Sequence, residues 1–186
     1  MLNICKKAIL GLSVIGGFFL ANDNVTLSNA KPSVQQLEQK ALDSTRVVTT
    51  HDTNYIENNE GYNAMGLMTQ YKDDTYRIIV ELCGDEEVDN DTYYHELGHV
   101  IDYQNDISEM VTKEMQLNEG FQLFDDFTYE YTKDNKVEYW ACAYAQVRIN
   151  PHRVKKVAPL TFDMINQIMD IDDYMLKGSE YDLIKL

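Results

Sequence analysis

Tyr94-His95-Glu96-Leu97-Gly98-His99 is the stretch on which the reading of the chain turns. Histidines four positions apart lie on one face of a helix, a turn apart, so both imidazoles can reach one metal ion. Glu96 follows His95 directly, which lets its carboxylate reach a water beside that ion rather than the ion itself. Two neutral nitrogens with an acid next to the water is the arrangement that zinc-dependent hydrolysis needs. Only 4 histidines occur in 186 residues, so chance rarely produces this pattern. Val100, Ile101 and Tyr103 continue an amphipathic pattern, and a helix is predicted over residues 93–103.

A catalytic zinc usually takes three protein ligands and a water. The metzincin pattern would supply a glycine and then a third histidine, but Asp102 and Asn105 stand at those positions. His51, in a predicted loop, and His152, after a helix end, are expected at the surface. A downstream carboxylate remains. Glu119 follows Asn118 and stands 20 residues past His99; Glu138 stands 39 past it and opens Glu138-Tyr139-Trp140-Ala141-Cys142-Ala143-Tyr144. That second segment is apolar on most sides, and a carboxylate at the start of a buried helix needs a partner. The residues alone favour Glu138 and leave Glu119 open.

Outward from the motif, strands are predicted over 46–50, 67–71 and 75–82, the last (TYRIIVEL) being the clearest. A short helix is expected over 34–42 and a loop over 51–65. Residues 84–91 read as an acidic loop without EF-hand spacing, with Asp91 or Thr92 capping the helix that follows. Further helices are predicted over 108–124 with Ser108 as cap, over 135–149 stopped by Asn150-Pro151, and over 161–175. Strands first and helices after give an α+β fold.

Composition narrows the function. Lys+Arg is 16 against Asp+Glu 31, a net charge of -15, which argues against nucleic-acid binding and against attachment to anionic lipid. Lys6 and Lys7 precede a short apolar run over 8–21, and Ser28-Asn29-Ala30 offers small residues at a cleavage site. Residues 1–30 therefore read as a secretory signal peptide, with cleavage after Ala21 as the alternative. The run is short of the about 20 residues of a membrane span. Residues 31–186 then form a single domain. Cys83 and Cys142 leave a disulfide open, since export permits one.

His95-Glu96-x-x-His99-x-x-Asp102, Glu119-Gly120, Tyr131 and Glu138-Tyr139-Trp140-Ala141 together resemble the catalytic domain of anthrax lethal factor and the secreted clostridial Pro-Pro endopeptidases built on it. The likeness runs from about Tyr94 to Met169 and includes Val157-Ala158-Pro159-Leu160-Thr161-Phe162. It implies a zincin-like metallopeptidase in which His95, His99 and Glu138 bind one zinc ion, Glu96 is the general base, and the Tyr131 hydroxyl faces the reacting carbonyl. In that family the Glu-Gly pair is not a ligand. Val137 departs from the clostridial pattern, which has a second glutamate there.

The expectation is a secreted, monomeric zinc endopeptidase that binds a protein or peptide in extended form, beside an edge strand near residues 77–82. Asp102, a turn past His99, is a candidate hydrogen-bond partner for a ligand imidazole. A toxin acting on a host protein would use the same chemistry at another address. The alternative from a different class is an inactive secreted binding protein that kept the fold; the intact Glu96 speaks against it, since it binds no metal and has no evident structural duty.

Overall fold

The computed structural model describes residues 31–172, so the predicted signal segment lies outside the described residues. The first described helix, α1 (Val34–Leu42), starts at a capping box. Ser33 Oγ accepts from the Gln36 amide, and the Gln36 side chain accepts from the Ser33 amide. The strand β1 (Thr45–Thr50) follows, then α2 (Tyr55–Glu60), β2 (Gly66–Gln70) and β3 (Tyr76–Glu81).

The three strands form one sheet in the order β1-β3-β2, with β1 parallel and β2 antiparallel to β3. The β-branched run in β3 is almost wholly buried because it is the central strand. This corrects the expectation of a substrate edge near residues 77–82. Both sides of β3 are already hydrogen-bonded, and the edges belong to β1 and β2.

One face of the sheet puts Met68, Tyr76, Ile78 and Val80 into the main core; the other puts Leu67 and Ile79 against Ile56 and Ala64. The helix α2 lies in the stretch expected to be loop. Its six residues carry one buried side chain, Ile56, and no side-chain cap of their own. The buried Glu81 on β3 supplies what local sequence does not, accepting the Ile56 amide at 2.7 Å. Gly61, at φ 80°, ends the helix in the left-handed region.

The 20-residue helix α3 (Glu86–Asn105) begins well before the predicted start. The cap is Asp85, whose carboxylate accepts from the Glu87 and Val88 amides. Acidic residues in a first turn are favourable beside the helix's positive end, so the run expected to be loop is helix instead. Asp91 and Thr92 are not caps: Asp91 accepts from Gln146 Nε2, and Thr92 Oγ1 donates back to the Val88 carbonyl.

The single helix predicted over 108–124 is broken. Asp106 takes φ 53° and ends α3, a 3-10 turn covers Ile107–Met110, and Val111 is extended. A π-helical turn at Met115–Glu119 then runs into α4 (Gly120–Leu123). Two further helices follow, α5 (Asp126–Thr132), capped by Asp125, and α6 (Lys136–Ile149), capped by Asn135. Asn150-Pro151 stops α6 as expected, but Pro151 also sits at the start of α7 (Pro151–Val157). Pro159 likewise opens α8 (Pro159–Ile168), which ends seven residues before the predicted limit.

The chain is thus α+β, a small sheet followed by a mainly helical part. Buried on nearly all sides from Thr92 to Asp102, α3 lies between the sheet and α6. Gly98 sets the α3–α6 distance, since a Cβ there would lie 3.1 Å from Ala141 Cα and 3.2 Å from Tyr144 Cδ1. Trp140 Nε1 donates to the Gly98 carbonyl at 2.9 Å and ties the two helices at that height. Cys83 and Cys142 are both free thiols. Among the described residues no helix is long and apolar enough to cross a membrane.

Candidate metal centre

The close α3–α6 contact brings three side chains together. His95 and His99 come from successive turns of α3, and Glu138 from the first turn of α6. Asn135 accepts the Val137 and Glu138 amides, which starts that helix where its carboxylate faces α3. His95 Nε2 and His99 Nε2 are 3.0 Å apart. Glu138 Oε2 lies 3.3 Å from the first and 3.5 Å from the second. All three residues are buried, and Glu138 Oε2 meets hydrogen-bond geometry with neither ring.

Zinc–ligand bonds of about 2.0–2.2 Å at tetrahedral angles imply donor–donor edges of about 3.3–3.6 Å. The two separations from Glu138 fit a zinc-sized ion, and the 3.0 Å between the histidine nitrogens is a few tenths of an ångström short of the same edge. Two imidazole nitrogens and one carboxylate oxygen also suit zinc, whereas calcium and magnesium prefer shells of oxygen. Among the described residues this is the one group of His, Cys, Asp and Glu side chains whose donor atoms converge closely enough for a metal.

Burial pushes the Glu138 carboxyl up, but the two imidazoles outweigh it and hold it at about 2. Burial disfavours the His99 cation, yet Glu138, Glu96 and Asp102 together raise its pKa above the ordinary value. Glu96 is the opposite case. It is wholly buried, and desolvation raises its carboxyl despite the pull of both histidines and of the Met68 amide. The Met68 amide lies close enough to act on the carboxylate, but neither oxygen makes a hydrogen bond of good geometry. The carboxylate lies against the β2 backbone: a Cβ on Gly66 would come within 2.6 Å of Glu96 Oε1.

Glu119, the alternative ligand left open by the residues, is committed elsewhere. Its carboxylate accepts from the Leu160 amide at 2.7 Å, the Thr161 amide at 2.8 Å and the Thr161 hydroxyl at 2.6 Å. It therefore caps the N-terminus of α8 from the π-helical turn. His51 and His152 are exposed. Asp102 is buried. It accepts the Ser108 amide at 2.6 Å and acts on His99 through its charge. Tyr131 is half-buried on α5, the helix preceding α6 and packed against it.

Two residues beside the site were not foreseen. Gly66 gave no signal, since its duty depends on how β2 lies against α3. Cys142, four residues after Glu138, was open to the same-face rule that singled out the histidines. Its Sγ is 3.4 Å from His95 Nδ1.

Compared with known proteins, the chain matches a family model described as anthrax toxin lethal factor, N- and C-terminal domain, over residues 30–168. Comparison with curated proteins and with solved structures gave no match.

Proposed function

The chain belongs to the family of the anthrax toxin lethal factor N- and C-terminal domains, and from that premise we propose that it is a secreted, zincin-like zinc endopeptidase acting on a protein or peptide substrate. The observation that carries the proposal is the buried triangle of His95, His99 and Glu138, with the unpaired Glu96 carboxylate beside it.

His95, His99 and Glu138 hold the metal. Zinc bound there supplies a Lewis acid and lowers the pKa of an attacking water toward about 7. Glu96 takes the proton of that water and later gives it to the leaving amine. The Tyr131 hydroxyl donates to the oxygen that becomes negative in the transition state. The substrate lies extended along the outer edge of β2, which pairs with no other strand than β3 among the described residues and whose Gly66 lies against Glu96. The net charge of -15 favours peptides with basic residues. The protein works as a monomer outside the cell.

The test is mass spectrometry of a random peptide library incubated with the purified chain. The expected result is internal cleavage that stops on chelation, returns with zinc, and is missing from Glu96→Ala although that variant keeps about one zinc per chain. Zinc binding without cleavage would favour the inactive binding protein. A chain that takes up no zinc would end the proposal.

A further inference from the structure

The chemistry above uses only one nitrogen of each ring. Behind His95, on the Nδ1 side, stands Cys142 Sγ at 3.4 Å. We propose that Cys142 is a positioning residue for the metal centre: its sulfur accepts the His95 Nδ1 proton and so fixes the tautomer that turns a bare Nε2 toward Glu138 and His99. This rests on the zinc reading and deepens it.

The geometry follows from α6. Residues 138 and 142 are one helical turn apart, so the face that delivers Glu138 Oε2 to the triangle also delivers a sulfur to the back of His95. His95 is 1% exposed, so water does not readily satisfy its Nδ1–H, and a buried donor needs an acceptor. Asp91, a turn before His95, acts on the ring through its charge but hydrogen-bonds Gln146 Nε2, at 3.1 Å, and not Nδ1. The polarity matters. If the thiol donated to Nδ1, the ring proton would sit on Nε2, aimed at His99 Nε2 3.0 Å away, and would close the ring to a metal. With Nδ1–H donating to sulfur, both Nε2 lone pairs are available. Ligating imidazoles commonly give their other N–H to a carboxylate or carbonyl. Sulfur is a weaker acceptor, so His95 is held in the right tautomer but its ring is made less basic than a carboxylate would make it.

The test compares Cys142→Ala and Cys142→Ser with the parent chain. Zinc affinity is read by competition with a chromophoric chelator. The His95 ring is read by nitrogen-15 correlation spectra of the zinc-loaded protein, a signal that packing alone does not set. Removing such a partner should weaken zinc by about 10–100-fold in Cys142→Ala and change the His95 Nδ1–H signal. Cys142→Ser keeps an acceptor and should lose less. Thermal unfolding of the metal-free variants verifies that they fold. The inference is overturned if Cys142→Ala binds zinc as tightly as the parent with unchanged His95 ring signals, or if the two variants are equally impaired. Those results leave the peptidase reading intact, whereas a parent chain that binds no zinc removes both.

Discussion

Glu96→Gln should make the metal-free protein more stable while abolishing hydrolysis. Glu96 is 0% exposed, and neither carboxylate oxygen makes a hydrogen bond of good geometry. Burial raises its pKa above the ordinary carboxylate value, so between that value and its raised folded value the folded chain binds more protons than the unfolded one. Stability attributable to Glu96 is therefore greatest at low pH and is lost as pH rises through the folded pKa. Glutamine has the same shape and no charge to desolvate. Relieving a buried, unpaired carboxylate is worth about 1–3 kcal/mol, which for a chain of this size raises Tm by about 3–9 °C. The assay is thermal unfolding by circular dichroism on chelator-treated protein at pH 5.5 and pH 8. The gain should be larger at pH 8. Zinc stoichiometry should remain about one per chain, and peptide cleavage should vanish. An unchanged or lower Tm at pH 8, or a gain independent of pH, would show that Glu96 is paired in the folded protein and would refute the desolvation argument. Retained cleavage would remove it as the base.

Glu138→Ala should lose zinc and activity together, by metal analysis and peptide assay. Glu119→Ala should keep its zinc but lose about 2–4 kcal/mol in a denaturant titration, because three donors at the start of α8 lose their acceptor. Tyr131→Phe should lower kcat by about 10²–10³ with KM and zinc content unchanged, as steady-state kinetics would show; an unaltered kcat would place that hydroxyl outside the reaction. Gly66→Ala would put a Cβ 2.6 Å from Glu96 Oε1 and 2.7 Å from Thr92 Cγ2. Displacing the base should cost about 10² in kcat with zinc retained, and full activity would mean that Glu96 does not need its place against β2.

Much of this protein is legible locally. The first helix and all three strands lie within a residue of their predicted bounds, because they are held by local features: the Ser33–Gln36 capping box and the β-branched run at 75–82. The failures share a cause, which is stabilisation from a distance. The short helix α2 is held by Glu81, a residue 25 positions away from the amide it accepts. The π-helical turn exists where Glu119 must turn inward to reach Leu160 and Thr161. The start of α3 differs for another reason: an acidic run reads as solvated loop by composition, whereas Asp85 caps it into helix.

The sequence by itself determined that two imidazoles share a helix face with an acid beside them, since a spacing of four residues obliges it. It left a choice between Glu119 and Glu138 for the third donor and mistook the central strand for an edge. Only tertiary structure decided those points. Glu119 is spent on capping because the π-helical turn packs against the start of α8, Glu138 faces the rings because α3 and α6 cross closely at Gly98, and which strand keeps free amides depends on pairing order. All are contacts between residues far apart in the chain, and local periodicity carries no record of them.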